Sequence, residues 1–271
     1  MTQHASGSAR ADTGAPAVSL TIEDGLATIT LDSPATRNAL GGRLNDDLAS
    51  VLAQVLDAEG VRVAVIRANG PMFCPGADLG WLQPEQPGAP GRIDGVLGAL
   101  NPLFARLRAS PVIVVAAVHG AVAGGGLGLL NVADLVIAAH STRFNTAYTR
   151  IAATPDLGTT YWLPRLAGER RALELLLLTD GFDAARAQAL GLVNFVVPAA
   201  SFDQEVNKLL RRLLAGPPGA FAAVKRLVYQ AHDSDLARHL EDERQQLIAA
   251  AAQPEFAEGV RAFVEKREPR F

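Results

Sequence analysis

The segment GAVAGGGLG, residues 120–128, constrains the fold of this chain more than any other stretch. It contains five glycines and follows the apolar run PVIVVAAV, residues 111–118. Glycine loses more backbone freedom on folding than any other residue, so a cluster of this kind favours a place where backbone must approach another group closely. The order of apolar run, glycines and further apolar residues predicts a strand, a tight turn and a short helix with exposed amides at its start.

Two phosphate-binding interpretations of this segment fail on its details. Only about eight residues separate the glycines from the next apolar strand, 134–139, too few for the crossover helix of a dinucleotide-binding βαβ unit. A P-loop needs Gly-Lys-Ser/Thr, and the segment has no lysine. Two interpretations stay open: an oxyanion site, in which the amides stabilise a developing negative charge, or a turn that needs glycine only for close packing.

Composition limits the function classes. The 271 residues are 49% hydrophobic and 20% charged, with a formal net charge of −3, which gives no basic surface for nucleic acid. The single cysteine, Cys74, excludes an internal disulfide and favours a reducing compartment. Residues 1–17 lack the apolar stretch of a secretory signal, and no window approaches the roughly 18 apolar residues of a membrane span. We expect a cytoplasmic protein with no nucleic-acid or membrane partner and a disordered lead-in over 1–17.

Apolar patterning predicts an α/β core over residues 18–199 and a helical C-terminal region over 200–271. The predicted strands cover 18–22, 26–31, 61–67, 112–118, 134–139 and 193–197. The predicted helices cover 41–58, 92–109, 157–166, 169–178, 183–190, 201–214, 218–230, 235–252 and 255–265. Residues 71–82 are expected to form a loop and 83–91 to lack regular structure, whereas the patterning predicts no path for the 81–100 segment as a whole.

A second glycine-centred loop, FCPGADL at 73–79, follows the predicted strand 61–67, and its Gly76 and Ala77 can each donate an amide hydrogen. Followed by HGAVAGGG at 119–126, this motif resembles the crotonase (enoyl-CoA hydratase/isomerase) superfamily. The resemblance extends over roughly residues 18–268. The other matching segments are RNAL at 37–40, TPDLGTT at 154–160, LPR at 163–165, AQALGLVNFVV at 187–197 and GVRAFVEK at 259–266.

The resemblance implies an α/β fold, a spiral of ββα units with a helical C-terminal oligomerisation region that builds trimers or dimers of trimers. It implies an acyl-CoA substrate and no metal or cofactor, because coenzyme A is part of the substrate. The amides of Ala77 and Gly125 would stabilise a thioester enolate. The residues implied in substrate or CoA binding are Arg37, Pro75, Gly76, Asp78, Leu79, Gly124 and Tyr148, with Phe263 and Lys266 from a neighbouring subunit.

The sequence departs from the hydratases that it resembles at both of their catalytic glutamates. Aligned by motif, those positions are Gly128 and Tyr148 here, and neither residue can act as a carboxylate base. An ordinary hydratase is therefore disfavoured. We expect Tyr148 and Thr146 to line the acyl pocket, where Tyr148 can donate a hydrogen bond.

Asp156, within TPDLGT, stands where the isomerase branch carries an acid, and the setting resembles the 1,2-epoxyphenylacetyl-CoA isomerase group most. One carboxylate suffices to move a proton between two carbons, and an apolar pocket would raise its pKa. An Asp after proline and ahead of a helix is also a common N-cap, which is the alternative. We expect an enoyl-CoA isomerase with Asp156 as acid/base. The rivals are a hydratase or lyase that uses unusual groups such as Tyr148, and an acyl-CoA-binding protein without catalysis.

Overall fold

A six-stranded sheet forms the centre of the structure, a computed structural model that describes residues 14–83 and 88–271. In spatial order its strands are β1 (Val18–Glu23), β2 (Leu26–Leu31), β3 (Val63–Ala68), β4 (Ile113–Val118), β6 (Leu135–Ala139) and β9 (Phe195–Val197). β1 and β2 are an antiparallel hairpin, and all other neighbours are parallel. A smaller sheet joins β5 (Ala121–Ala123), β7 (Arg143–Asn145) and β8 (Phe182–Asp183).

The helices cover both faces of the large sheet, and the last of them ends at Glu265. They are α1 (Gly42–Asp57), α2 (Ala89–Ala109), α3 (Gly125–Asn131), α4 (Thr159–Ala167), α5 (Glu169–Leu178), α6 (Ala184–Ala189), α7 (Phe202–Leu214), α8 (Pro218–Gln230), α9 (Leu236–Ala251) and α10 (Pro254–Glu265). In α1 the buried apolar residues recur every three or four positions, which is why this segment forms a helix with one face on the core.

Alternate residues of the central strands enter two separate cores. Val63 and Val65 of β3 pack with Val206 and Leu210 of α7 on one face of the sheet. Ile66 of the same strand packs in the larger core on the opposite face. Burial on both faces explains why β3 and β4 read as continuous apolar runs in the sequence and not as alternating ones.

The predicted strands and helices are confirmed to within a few residues at their ends. Residues 89–91 were expected to lack regular structure, and this was wrong, because α2 begins at Ala89. Pro90 in the first turn of α2 suits a helix start, since its missing N–H has no intrahelical partner there. The strands of the small sheet were not predicted. The expectations for residues 1–13 and 84–87 lie outside the described residues.

Within the described ranges, no helix is long and apolar enough to cross a membrane. The C-terminal helices nevertheless expose large apolar side chains. Leu247 of α9 is 65% exposed, and Phe263 and Val264 of α10 are 86% and 73% exposed. No residue of α9 is buried, so this helix contributes little to the cores of the single chain.

Candidate active site

The loop 73–79 pairs in parallel with Leu40, just before α1, so that the N–H of Ala77 points away from Leu40. Leu40 N–H donates to the carbonyl of Gly76 at 2.7 Å, and Asp78 N–H donates to the carbonyl of Leu40 at 2.8 Å. Leu40 thus bonds to the residues on both sides of Ala77. In a parallel pairing of this kind the skipped residue directs its own N–H to the other side. Ala77 is exposed, and it lines a cavity.

Glycines allow this loop and the segment 120–128 to touch. Gly76 has a φ of +103°, and a Cβ atom there would lie 2.9 Å from the carbonyl oxygen of Ala123. Gly124 has a φ of +48°, and its Cβ would lie 3.6 Å from the Cα of Gly76. A side chain at Gly126 would collide with the carbonyl oxygen of Cys74. Backbone conformation therefore requires glycine at position 124 and close packing requires it at position 126, and this packing brings the two loops together.

The contact between the loops leaves a second backbone amide beside Ala77. Gly125 is the first residue of α3, so its N–H has no acceptor within the helix. Gly124 N–H, in contrast, is occupied by the carbonyl of Asn145 at 3.0 Å. Both Ala77 and Gly125 line the same cavity. The arrangement offers two amides that could share one acceptor oxygen.

The cavity has a volume of about 1700 Å³. One wall is the apolar side of α2, to which Val96, Leu97, Leu100 and Phe104 contribute. Polar groups line the cavity too, among them Tyr148 and Asp156. An apolar enclosure with a few convergent polar groups is the usual form of a small-molecule site.

Asp156 lies next to the amide-bearing residue Gly125. A Cβ atom built on Gly125 would be 3.8 Å from Asp156 Oδ1. The same oxygen accepts a hydrogen bond from the hydroxyl of Tyr148 at 2.6 Å. The cavity therefore brings a carboxylate, a phenol and two candidate oxyanion amides together.

Burial sets the protonation behaviour of this pair. It raises the pKa of Asp156 above its ordinary value, and the hydrogen bond from Tyr148 opposes that rise. Burial and the neighbouring carboxylate raise the pKa of Tyr148 as well, so its hydroxyl stays protonated and acts as the donor. A carboxyl group with a raised pKa exchanges protons more readily near neutral pH than an exposed one does.

The N-cap alternative for Asp156 is wrong. α4 begins at Thr159, and its N-cap residue is Gly158, in the left-handed region with a φ of 78° and without a side-chain cap. Asp156 contributes to the turn only through its backbone, because its carbonyl accepts from Thr159 N–H at 2.9 Å. Its carboxylate is consequently not engaged by the helix.

Gly128, where the hydratases would carry a glutamate, has no space for any side chain. A Cβ atom there would overlap the Cβ of Leu157 and lie 2.8 Å from its Cδ1. Leu157 itself is 5% exposed. The residue after Asp156 thus fills the volume that a glutamate at position 128 would need.

The structure places the other sequence-predicted residues in two groups. Pro75, Gly76, Leu79, Gly124 and Tyr148 line the cavity; Asp78, Arg37, Phe263 and Lys266 do not line it in this single chain. The carboxylate of Asp78 accepts from Gly80 N–H at 2.9 Å and shapes the loop. Thr146 was expected in the pocket and this was wrong, because its hydroxyl is buried against the carbonyl of Leu175 at 2.6 Å.

Two features of this region were not predicted from the sequence. Asn38 is 2% exposed, and its side chain joins three backbone groups, those of Ser33, Asn69 and Met72, which fixes the chain just ahead of Leu40. Arg108 lies on the cavity, stacked between two aromatic rings. Asn38 has a positive φ, which asparagine adopts more readily than most residues in turns, so its residue type could have indicated this role. No local sequence pattern indicates the position of Arg108.

Comparisons with known proteins agree with this architecture. The sequence model of the family "Enoyl-CoA hydratase/isomerase" matches residues 21–271. A protein of Rhodobacter capsulatus named "Probable enoyl-CoA hydratase" is 37% identical over 260 residues, 92% of this chain and 95% of that protein. The 1,2-epoxyphenylacetyl-CoA isomerase of Escherichia coli is 34% identical over 251 residues, 92% of this chain and 96% of that enzyme.

Solved structures show the same fold. The crystal structure of an enoyl-CoA hydratase from Polaromonas superposes with a TM-score of 0.86 at 32% identity, over 93% of this chain and 98% of the other. The predicted crotonase-like α/β fold is therefore confirmed. The chain belongs to the enoyl-CoA hydratase/isomerase family.

Proposed function

We propose that this protein is an enoyl-CoA isomerase in which Asp156 moves the proton. The observation that carries the proposal is the position of the Asp156 carboxylate, on the acyl cavity beside Gly125 and held by Tyr148. The space at Gly128 that a hydratase glutamate would need is filled by Leu157. One carboxylate beside Gly125, with no glutamate at positions 128 and 148, suits transfer of a proton along a chain better than addition of water.

The thioester oxygen would accept hydrogen bonds from the amides of Ala77 and Gly125. Each well-placed donor of this kind stabilises the developing negative charge by roughly 3–4 kcal/mol. The Asp156 carboxylate removes a proton from C2 of a 3-enoyl thioester, and the electron pair of that C–H bond moves onto the thioester oxygen as an enolate. The enolate then collapses to a C2–C3 double bond while the carboxyl group of Asp156 returns the proton to C4. The residues alone supply this chemistry, so we propose no resident metal or redox cofactor.

Asp156→Asn tests the proposal. The substitution keeps the shape of the side chain but removes its ability to take up a proton. We expect conversion of 3-enoyl-CoA to the conjugated 2-enoyl-CoA, followed by the absorbance of the conjugated thioester, to fall by about 10²–10⁴-fold. Asp183→Asn is the matched control, because Asp183 caps α6 away from the cavity and asparagine caps equally well.

Hydration is the second candidate, since the Rhodobacter capsulatus relative carries the name of a hydratase. Incubation with 2-enoyl-CoA separates the two activities. Formation of 3-hydroxyacyl-CoA that persists in Asp156→Asn would overturn the isomerase proposal in favour of a hydratase or lyase that uses Tyr148. Tight thioester binding without turnover of either substrate would leave only an acyl-CoA-binding protein.

A further inference from the structure

Arg108, at the end of α2, lies on the cavity in an arrangement that holds its guanidinium rigidly. The guanidinium carbon is 3.7 Å from the centre of the Trp162 ring and 3.6 Å from the centre of the Tyr229 ring. Nη1 donates to the carbonyls of Asn131 at 3.0 Å and Ala133 at 3.2 Å. Both aromatic residues line the same cavity. The cation is therefore fixed in place by groups that carry no formal charge.

Nothing in the described part of the chain balances the charge of Arg108 directly. No carboxylate within residues 14–83 or 88–271 forms an ion pair with it, and its Nε is buried without a hydrogen-bond acceptor there. The nearest acid in the cluster, Asp134, is already engaged by Lys225 Nζ at 2.9 Å and Tyr229 Oη at 2.6 Å. One acid against two cations leaves this cluster with one uncompensated positive charge.

The remaining charges on the cavity do not change that balance. Three further acids line it, Asp156, Asp233 and Asp242, and so do three further cations, Arg150, Arg226 and Arg238. Burial disfavours the charged form of Arg108 and lowers its pKa, although an arginine remains protonated at physiological pH. A partly desolvated cation without a counterion is unfavourable, and an anion bound in the cavity would relieve this.

The geometry places this cation at a defined distance from the thioester site. Gly125 and Asn131 are the two ends of α3, and six steps of a helix cover about 9 Å. Gly125 carries the candidate oxyanion amide, and the carbonyl of Asn131 contacts Arg108. The thioester oxygen would lie about 3 Å before the first end and the guanidinium lies about 3 Å beyond the second, so roughly 15 Å separates them along α3. Leu97 and Leu100 of α2 form apolar lining of the same cavity.

We propose that Arg108 binds a carboxylate at the distal end of the acyl group, so that the preferred substrates are thioesters of medium-chain dicarboxylic acids. This proposal rests on the acyl-CoA binding proposed above. Nη1 already donates to two carbonyls and Nε is buried, so Nη2 is the nitrogen left to donate to a carboxylate oxygen. Contact with the rings of Trp162 and Tyr229 keeps the guanidinium oriented. Plain alkyl chains of the same length would leave the cation unpaired.

Binding of saturated thioesters tests the proposal without using catalysis. Isothermal titration compares decanoyl-CoA with sebacoyl-CoA, which has the same chain length and ends in a carboxylate. We expect the wild-type protein to bind sebacoyl-CoA at least tenfold more tightly, and we expect Arg108→Met to abolish that preference. Arg106→Met is the control, because Arg106 lies on the same helix but is exposed and paired with Asp57 at 3.1 Å. It should keep the preference.

Arg108→Lys guards against a folding defect in the methionine variant. It keeps the charge but loses the planar group that contacts both rings, so we expect an intermediate preference and an unchanged unfolding midpoint. Equal affinity of the wild-type protein for the two thioesters would overturn the proposal. If Arg108→Met lowers the affinity for both thioesters by the same factor, the proposal is overturned as well, because Arg108 would then only stabilise the structure of the cavity.

A phosphate of coenzyme A is the other source of an anion for this site. Decanoyl-pantetheine lacks the nucleotide phosphates, so it separates the sources. If Arg108→Met weakens binding of decanoyl-CoA but not of decanoyl-pantetheine, the bound anion is a phosphate and the dicarboxylate proposal is overturned. If no thioester binds the wild-type protein, the proposed acyl-CoA function fails together with this inference. Failure of the isomerase assay alone leaves the binding test unaffected.

Discussion

Asp156 and Tyr148 form a pair in which each side chain sets the protonation state of the other. The carboxylate keeps the phenol protonated, and the phenol, 2.6 Å from Oδ1, favours the ionised carboxylate against the effect of burial. The charged form of a buried acid depends on such donors. At the scale of single residues, Tyr148 is thus a positioning residue for the proposed base.

Tyr148→Phe removes the hydrogen bond and keeps the ring. Because the bond lowers the pKa of Asp156, its loss raises that pKa further. Proton removal needs the ionised carboxylate, so the acid limb of the pH profile of isomerisation moves to higher pH. A hydrogen bond to a charged group contributes roughly 1.5–3 kcal/mol, so we expect the rate at neutral pH to fall by about tenfold or more.

Tyr161→Phe serves as the control for this measurement. Tyr161 lies on the cavity and stacks with Arg165 at 3.5 Å from the ring centre, and within the described ranges its hydroxyl has no hydrogen-bond partner. Its pH profile should match that of the wild-type protein. A uniform fall in rate with an unshifted acid limb in Tyr148→Phe would contradict the positioning role.

At the scale of helices and strands, local patterns predicted most of the fold. α1, α5 and α8 follow from apolar periodicity, and β3 and β4 from continuous apolar runs. The strands β5, β7 and β8 were missed because segments of two or three residues carry no period. Their pairing depends on tertiary contacts, as when Gly124 N–H bonds to Asn145 of β7.

The same limit applies to the candidate site. The sequence motifs predicted that Ala77, Gly125 and Asp156 share one site, because the motifs occur in the order and spacing of the family that the chain resembles. All three residues line the same cavity. Arg108 could not, because its partners Trp162 and Tyr229 come from α4 and α8, more than fifty residues away in the sequence. The role of Leu157 also needed coordinates, since only the distance to Gly128 shows that the glutamate position is filled.

α8 is joined to the core through a buried ion pair. Lys225 has a side-chain exposure of 4%; its Nζ pairs with Asp134 at 2.9 Å and donates to the carbonyls of Leu107 at 3.1 Å and Val112 at 2.6 Å. Lys225→Met leaves the carboxylate of Asp134 buried without its cation. We expect the free energy of unfolding to fall by about 3–5 kcal/mol, measured by urea denaturation.

Lys208→Met on α7 is the comparison for this experiment. Lys208 is 72% exposed and pairs with Glu205 at 3.5 Å, so its loss should change the free energy of unfolding by less than about 0.5 kcal/mol. Similar small effects of the two substitutions would show that the pair does not hold α8 on the sheet.

At the scale of the whole molecule, the exposed apolar side chains of the C-terminal helices are the main feature that a single chain leaves unexplained. They include Leu240, Leu247, Ile248, Val260, Phe263 and Val264. Large apolar side chains exposed in such number on two neighbouring helices are typical of an interaction site. The family resemblance predicts a trimer or a dimer of trimers, and these helices are the surface on which we expect subunits to meet.

The double substitution Val260→Asp with Val264→Asp tests this assembly. The two valines are four residues apart on α10 and so lie on one face, 50% and 73% exposed. Aspartates at these positions would lose their hydration at an interface, which disfavours association. We expect sedimentation velocity to show a mass of three or more chains for the wild-type protein and a mass closer to the monomer for the variant. Ile22→Asp, at a 41% exposed position on the edge strand β1, should leave the mass unchanged. A wild-type protein that sediments as a monomer at every concentration would exclude the predicted oligomer. The predicted role of Phe263 and Lys266, contact with the substrate of a neighbouring subunit, would then be excluded too.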